Sequence, residues 1–251
     1  ALPIVEALQN GADIIVTGRV ADPSLFLAPM IFEFGWSMDD FVKLGKGTLI
    51  GHLLECAGQV CGGYFADPGI KDVPDLWNLG FPLVEVDESG DGFVSKLPDS
   101  GGLVSTATCT EQMLYEIHDP ERYFTSDCVA DFSKVEFQVL EKDKVAFKGG
   151  SGNEATTTYK VSVGYRNGYL GEGEISYGGA NCMKRAELAI EIIKKRLEGK
   201  ELYDLRFELI GVNSINPISS SNQVGDPSEV RVRVAGKSSS AAIAKQIGLE
   251  V

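Results

Sequence analysis

The sequence lacks the features that mark several large classes of protein. No uninterrupted apolar run reaches the roughly 18–20 residues needed to cross a bilayer, and no basic segment precedes an apolar one as in a signal peptide. The five cysteines contain no C-x-x-C spacing, which argues against a zinc ribbon or a disulfide framework and favours reduced thiols. The nucleotide-binding pattern G-x-G-x-x-G is also missing. We therefore expect no membrane partner; the cofactor is unknown, no motif supports a nucleotide, and the sequence does not favour a bound metal.

Basic residues are in the minority. The chain has 23 Lys and Arg against 36 Asp and Glu, a formal charge of −13. The phosphates of a nucleic acid would be repelled by such a chain, so we expect no nucleic-acid partner. An anionic substrate would need a local basic residue or helix N-termini to hold it. The acidic balance is also typical of an ordinary cytoplasmic protein, and we expect a cytoplasmic homo-oligomer.

Short apolar runs alternate with helical patterns along the first half of the chain. Residues 12–18, ADIIVTG, are apolar and β-branched, which is typical of a buried parallel strand, and residues 82–86 predict a second strand. A helix is predicted over 39–61, and Thr108 with Glu111 predicts a capping box at the start of another. The sequence therefore predicts an α/β fold, a mostly parallel sheet flanked by helices.

The pattern of apolar and polar residues changes after about residue 131. Turns at Lys142-Asp143 and Asn167-Gly168, each between alternating segments, predict two hairpins. The later predicted elements are a helix over 181–198, a strand over 205–212, a loop over 213–228, a strand over 229–234 and a final helix from the cap region Ser238–Ser240. The predicted organisation is a β-rich insertion or small second lobe over 132–178, between core parts over 1–131 and 179–251. Helical patterns reach both termini, so we expect the chain to be a piece of a longer protein.

The stretch GHLLECAGQVCGG, residues 51–63, holds the first candidate site. On a helical wheel His52, Glu55, Cys56 and Gln59 share one polar face. His52 lies three residues from Glu55 and four from Cys56, so both pairs can touch. A His–Glu couple can move protons, and a thiol beside an imidazolium can become a nucleophile. Two alternatives remain open: a half-exposed helix whose polar side serves solubility, and a metal site that uses His52 and Glu55.

The turn TGRVADP, residues 17–23, is the second candidate site because α/β proteins bind ligands at the C-terminal ends of parallel strands. Arg19 can hold a carboxylate or phosphate through two hydrogen bonds, whereas Asp22 is either a ligand-binding residue or a helix cap. The pair Gly101-Gly102 is a candidate loop for a phosphate or thioester, or simply a tight turn. The predicted substrate-binding residues are Arg19, Asp22, Gln59, Gly62, Gly63, Gly101 and Gly102.

Five long phrases of the chain are unusual, and together they span most of it: ADIIVTGRVADPSLFLAPMIFEFGW, GTLIGHLLECAGQVCGGYFADPG, DVPDLWNLGFPLVEV, STATCTEQMLYEIHDPERYFTSDCVADFS and KVSVGYRNGYLGEGEISYGG. They resemble the acyclic terpene utilisation family, AtuA, whose members are longer at both ends. The resemblance supports the expectation of a longer protein.

Individual residues follow the family pattern unequally. Those that match the motif are Arg19, Asp22, His52, Glu55 and Cys56. The family has Thr at the position of Cys61, an apolar residue at Cys109 and often His at Phe32. These departures weaken any role for the two cysteines and for a histidine site near residue 32.

The resemblance implies a place in the breakdown of acyclic terpenes or other branched compounds through acyl-CoA thioesters. We expect an enzyme, or a subunit of one, that carries out hydration–dehydration or carbon–carbon lysis on an acyl-CoA or related carboxylate. In this hypothesis His52 and Glu55 move protons, Arg19 holds the substrate, and Cys56 is a support or a nucleophile. The alternative is a non-catalytic subunit that binds acyl-CoA or a partner enzyme.

Overall fold

The structure is a computed structural model that describes residues 1–215 and 227–251. Contacts divide the chain into two units, Ala1–Val161 and Ser162–Val251. The predicted organisation into segments 1–131, 132–178 and 179–251 of one domain stays a prediction. Most of the predicted loop over 213–228 lies outside the described residues.

The first unit contains four helices and two antiparallel sheets within the described residues. The helices are α1 (Leu2–Gln9), α2 (Ser24–Phe34), α3 (Phe41–Glu55) and α4 (Thr106–Leu114). The strands are β1 (Pro82–Val86), β2 (Gly92–Lys96), β3 (Tyr123–Phe124), β4 (Val129–Asp131), β5 (Glu136–Glu141), β6 (Lys144–Lys148) and β7 (Ser151–Asn153). They form sheets in the orders β1-β2-β6-β5 and β3-β4-β7.

Helix α3 lies at the centre of the first unit, because its glycines let neighbouring backbones approach closely. A Cβ at Gly45 would lie 2.0 Å from the carbonyl oxygen of Ser151, and one at Gly51 would lie 2.4 Å from that of Pro23. Leucines on the same helix, including the fully buried Leu44, belong to the main hydrophobic core. The packing therefore fixes the last turns of α3 against the segment that enters α2.

The second unit comprises β8 (Tyr169–Gly178), α5 (Cys182–Leu197), β9 (Tyr203–Ile210), β10 (Glu229–Ser238) and α6 (Ala241–Glu250). Strand β10 lies between β8 and β9 and is antiparallel to both. Consequently β8 and β9 run in the same direction with α5 as their connection, a split β-α-β arrangement. A second hydrophobic core, which includes Val232 and Ile247, fills the space between this sheet and its helices.

The predicted parallel sheet with a β-rich insertion over 132–178 is wrong. The described part of the chain contains three small antiparallel sheets and six α-helices. Residues 12–18 form no strand with any described residue, and Ile14 and Val16 are 85% and 91% exposed. Strands β6 and β8, both within 132–178, pair with β2 and β10, which lie outside that segment. A buried strand needs neighbours that are distant in sequence, and an apolar run does not identify them.

Predictions that depend on local patterns are closer to the structure. The hairpin around Lys142-Asp143 is present as β5 and β6, and α5 occupies nearly all of the predicted helix over 181–198. At Asn167-Gly168 only the second strand of the predicted hairpin forms. The capping box of α4 is formed by Ser105 with Thr108, not by Thr108 with Glu111. No helix within the described residues is both long and apolar enough to cross a membrane.

Candidate functional site

The candidate site lies at the C-terminal end of α3. The helix ends at Glu55, Cys56 is its C-cap, and Ala57 takes a positive φ of 49° before a short 3-10 turn over Ala57–Gln59. The helix predicted over 39–61 therefore ends at Glu55, and Gln59 no longer shares a helical face with His52. Gln59 turns into the interior and is buried.

His52 is the central side chain of this region. Its Nδ1 lies 3.1 Å from Oε1 of Glu55, the contact expected for a pair three residues apart on a helix. The imidazole is only 2% exposed, so it does not lie on a half-exposed polar face. The Glu55 side chain keeps 12% of its area accessible and connects the buried ring to the surface.

Two aromatic rings enclose the imidazole. The His52 ring centroid lies 5.5 Å from that of Tyr123 in β3 and 6.1 Å from that of Phe132, which follows β4. The two aromatic rings are themselves 5.8 Å apart. These contacts leave the imidazole little freedom to rotate, so its two nitrogens keep distinct roles.

Gln112 of α4 completes the buried part of the site. Its Nε2 donates a hydrogen bond of 2.7 Å to the backbone oxygen of His52. Within residues 1–215 and 227–251, two buried side-chain atoms have no hydrogen-bond partner: Nε2 of His52 and Oε1 of Gln112. Leaving a buried polar atom unpaired costs about 1–3 kcal/mol, and native proteins keep few of them. We refer to these two atoms as the buried unpaired atoms.

The thiol of Cys56 is held in its protonated form. Burial raises its pKa, the Gln112 amide acts in the opposite direction, and the carboxylates of Glu55, Glu116 and Asp22 raise it further. The hypothesis of a thiolate nucleophile beside an imidazolium receives no support from this environment. A thiol in this state can only donate a weak hydrogen bond or pack against a ligand.

Tyr123 is held in its protonated form by the same surroundings. Burial, assisted by the charges of Glu55, Asp22 and Glu116, raises the pKa of its phenol to about 12. Its hydroxyl therefore remains a hydrogen-bond donor across the physiological range.

Asp22, in the segment before α2, raises the pKa of both Cys56 and Tyr123. The contact of Pro23 with Gly51 brings Asp22 to the end of α3, and its side chain does not cap α2, whose N-cap is Pro23. Arg19 is exposed and makes no ion pair or hydrogen bond with any residue that the structure describes. The leading electrostatic effects on Cys56 and Tyr123 come from carboxylates. The predicted role of Arg19 as an anion anchor stays a prediction.

The two glycine pairs pack against neighbouring backbone. The N–H groups of Gly101 and Gly102 donate to the carbonyls of Asn78 and Pro74, at 3.0 and 2.7 Å. Those of Gly62 and Gly63 donate to Gln59 and Gly58, at 2.9 and 3.1 Å. These donors are already used, so an anion could not be held by them without breaking the turn. A substrate-binding role for these glycines and for Gln59 stays a prediction.

Sequence reasoning missed three residues of the site: Gln112, Glu116 and Tyr123. They lie 60 or more residues from His52 along the chain, and no periodicity or spacing connects them with α3. In the described residues, no group of three His, Cys, Asp or Glu side chains is arranged to hold a metal ion. The arrangement can instead accept a proton at His52, orient the ring through Glu55, and donate a hydrogen bond from Tyr123.

Comparison with known proteins places the chain in a family. The model of the family described as "Acyclic terpene utilisation family protein AtuA" matches residues 1–251. No match is found among the curated proteins or the solved structures. Since the family match covers the whole sequence, the chain belongs to the AtuA family of acyclic terpene utilisation proteins.

Proposed function

We propose that this chain is an enzyme, or a subunit of one, that acts on a branched acyl-CoA thioester by hydration–dehydration or carbon–carbon lysis. The family supports the setting, because acyclic terpene utilisation is the breakdown of branched carbon chains. The observation that carries the chemistry is His52, whose Nδ1 faces Glu55 while Nε2 is buried and, among described residues, unpartnered.

The His52–Glu55 couple supplies the proton transfer. With its carboxylate on Nδ1–H, Glu55 fixes the tautomer that leaves the Nε2 lone pair free. That nitrogen takes a proton from the substrate and returns it later in the cycle. Glu55 also stabilises the imidazolium that forms in between.

Tyr123 is the group suited to the thioester oxygen. Its hydroxyl stays protonated, because burial raises the phenol pKa to about 12, and its ring contacts that of His52. A hydrogen bond from this hydroxyl would stabilise negative charge that develops on the thioester carbonyl. Cys56 supports the site as a neutral thiol.

The test is turnover of branched 3-hydroxyacyl-CoA and 2-enoyl-CoA thioesters by the full chain, followed by mass spectrometry. We expect His52→Ala and Glu55→Gln to lower kcat by at least about a hundredfold, the usual contribution of a positioned base, and Cys56→Ser to change it less than tenfold. His118→Ala, which removes the exposed second histidine, is the matched control. Binding of thioesters without any turnover would support the alternative, a non-catalytic binding subunit. Unchanged turnover in a folded His52→Ala variant would refute the role of His52.

A further inference from the structure

Residues 159–166, at the boundary between the two units, have the pattern of a strand but no neighbour. They belong to no helix or strand and hydrogen-bond with no described residue. Every second side chain is large and apolar, and each of these is between 74% and 80% exposed: Tyr159, Val161, Val163 and Tyr165. This alternation is typical of a strand whose apolar face is covered when it is paired. We refer to residues 159–166 as the arm.

Strand β8 has a free edge. Its ten residues pair with β10 on one side, and within the described residues no strand lies on its other side. Proteins usually protect a long edge with lysine, proline or a bulge, and β8 has none of these. Its two carboxylates, Glu172 and Glu174, are held by arginines of β10. Such an edge can accept an additional strand through its backbone.

A groove of about 440 Å³ runs along this edge. Among the described residues it is lined by β8 and α6 alone, so it opens on the side of β8 away from β10. Small residues, including Ala244 and Gly248, leave room in the groove, and the exposed Leu249 lies at its border. Apolar side chains of an added strand would therefore have space to pack beside α6.

The arm and β8 carry opposite charges. Gly171 faces α6, because a Cβ there would lie 1.9 Å from the Ala244 carbonyl oxygen, so Glu172 lies on the opposite face of the strand, and Glu174 with it. The charged residues of the arm are Lys160 and Arg166, which alternate with its apolar side chains. An arm that packs its apolar face beside α6 would thus present both cations to the face of the two glutamates.

The arm does not fold back onto β8 of its own chain. The favoured two-residue hairpin turns need a positive φ at their first central residue, which here is Asn167. Gly168 has a φ of 79°, but Asn167 is not among the described residues with positive φ. Since the hairpin turn is not formed, the edge of β8 remains open to a second chain.

We propose that the arm of one copy adds as a strand to the free edge of β8 in a second copy, and that the exchange is reciprocal and gives a two-fold dimer. The apolar side chains of the arm fill the groove, and its two cations join Glu172 and Glu174. Eight residues of strand span about 26 Å, so the arm can cover most of the ten-residue edge. This interface does not depend on the reaction proposed for His52.

Sedimentation velocity of the full chain over a range of concentrations tests the interface. We expect a dimer whose dissociation constant rises at least about a hundredfold in Val163→Asp, because a carboxylate would be buried in the groove. Leu249→Asp, on the receiving side, should weaken the dimer in the same way. The matched control is Val139→Asp, the same change at an exposed residue of β5, which should leave the dimer intact.

Mixing the two weakened variants distinguishes this interface from any other. A pair of one Val163→Asp chain and one Leu249→Asp chain keeps one intact arm in one intact groove, whereas neither variant alone does. We therefore expect the mixture to associate more strongly than either variant by itself. A mixture that associates no better than the separate variants would overturn the proposal.

Three further results would also overturn it. They are a chain that stays monomeric at every concentration, a dimer that Val163→Asp does not weaken, and an arm that pairs within its own chain. Amide hydrogen exchange reads the last of these directly. The backbone of the arm should be protected in the dimer and exchange freely in monomers obtained by dilution, and protection that persists in the monomers would show pairing in cis.

Discussion

Strand β10 in the second unit and the end of α3 in the first unit differ in how their charged side chains are partnered. In the second unit the cations of β10 are paired: Arg231 lies 3.2 Å from Glu174, and Arg233 lies 2.9 and 2.7 Å from Glu172 and Glu208. At the end of α3 in the first unit, burial and then the carboxylates of Glu55, Glu116 and Asp22 raise the pKa of the Cys56 thiol and of the Tyr123 phenol.

This difference between the two regions indicates which of them stabilises the fold and which is suited to bind a ligand. Paired charges across neighbouring strands support a sheet. Crowded carboxylates and buried polar atoms without hydrogen-bond partners lower stability. Proteins keep such groups at sites where a ligand supplies the missing hydrogen bonds. The first unit is therefore where substitutions should separate function from folding, and the paired charges of β10 are where they should affect folding alone.

The largest expected effect comes from alkaline pH acting on the buried thiols of the first unit. Burial raises the pKa of Cys61 to about 11 and that of Cys109 to about 12, from an ordinary value of 9.0. Above pH 9 the unfolded chain loses these protons while the folded chain keeps them, so stability falls as the pH rises. We expect a loss of about 5 kcal/mol between pH 8 and pH 11, measured as the free energy of unfolding in urea.

A double variant provides the control for this effect. Cys61→Ala with Cys109→Ala removes both thiols, so it should unfold more easily at pH 8 but lose less stability between pH 8 and pH 11. The same slope in the variant and in the unaltered chain would show that these thiols do not cause the pH dependence.

A smaller effect should follow from filling the space between α3 and the segment before α2. Gly51→Ala would place a Cβ 2.4 Å from the Pro23 carbonyl oxygen and 2.7 Å from its Cα. Separating these backbones should cost about 2 kcal/mol, seen as a lower melting temperature. At Gly18 a Cβ would meet no atom of the described residues within 4 Å, so Gly18→Ala should be nearly neutral. Equal melting temperatures for the two variants would contradict the close contact.

The smallest effects test the opposed charge arrangements directly. Arg233→Gln should destabilise the chain by about 1 kcal/mol, because two carboxylates lose the cation between them. Glu116→Gln should slightly raise the melting temperature, because it removes one of three like charges. The effects of both substitutions on stability should be smaller in high salt, because salt screens the charges. Melting curves that shift in the same direction for both variants would remove the distinction between the units.

The sequence was sufficient for features that depend on neighbours along the chain. The hairpin of β5 and β6 needs only two alternating segments and a turn that accepts the positive φ of Asp143. Helix α5 follows from its own periodicity. The His52–Glu55 contact was predictable because three residues separate the pair on a helix.

The remaining features depend on contacts between distant segments. Tyr123 and Gln112 contact His52 only because β3 and α4 pack near α3. The local residue pattern of neither segment predicts that packing. For the same reason residues 12–18 were predicted as a buried strand, although Ile14 and Val16 are exposed in the structure. The family resemblance identified the residues at the end of α3 but not their partners.

The glycines of α3 have a consequence for how this protein can diverge. A side chain at position 45 or 51 would push neighbouring backbones apart, so we expect both positions to remain glycine. Gln112, Glu116 and Tyr123 come from other segments, where a change of side chain does not push two backbones apart at these positions. Members of the family can therefore change the residues around the imidazole while keeping the close backbone contacts of α3.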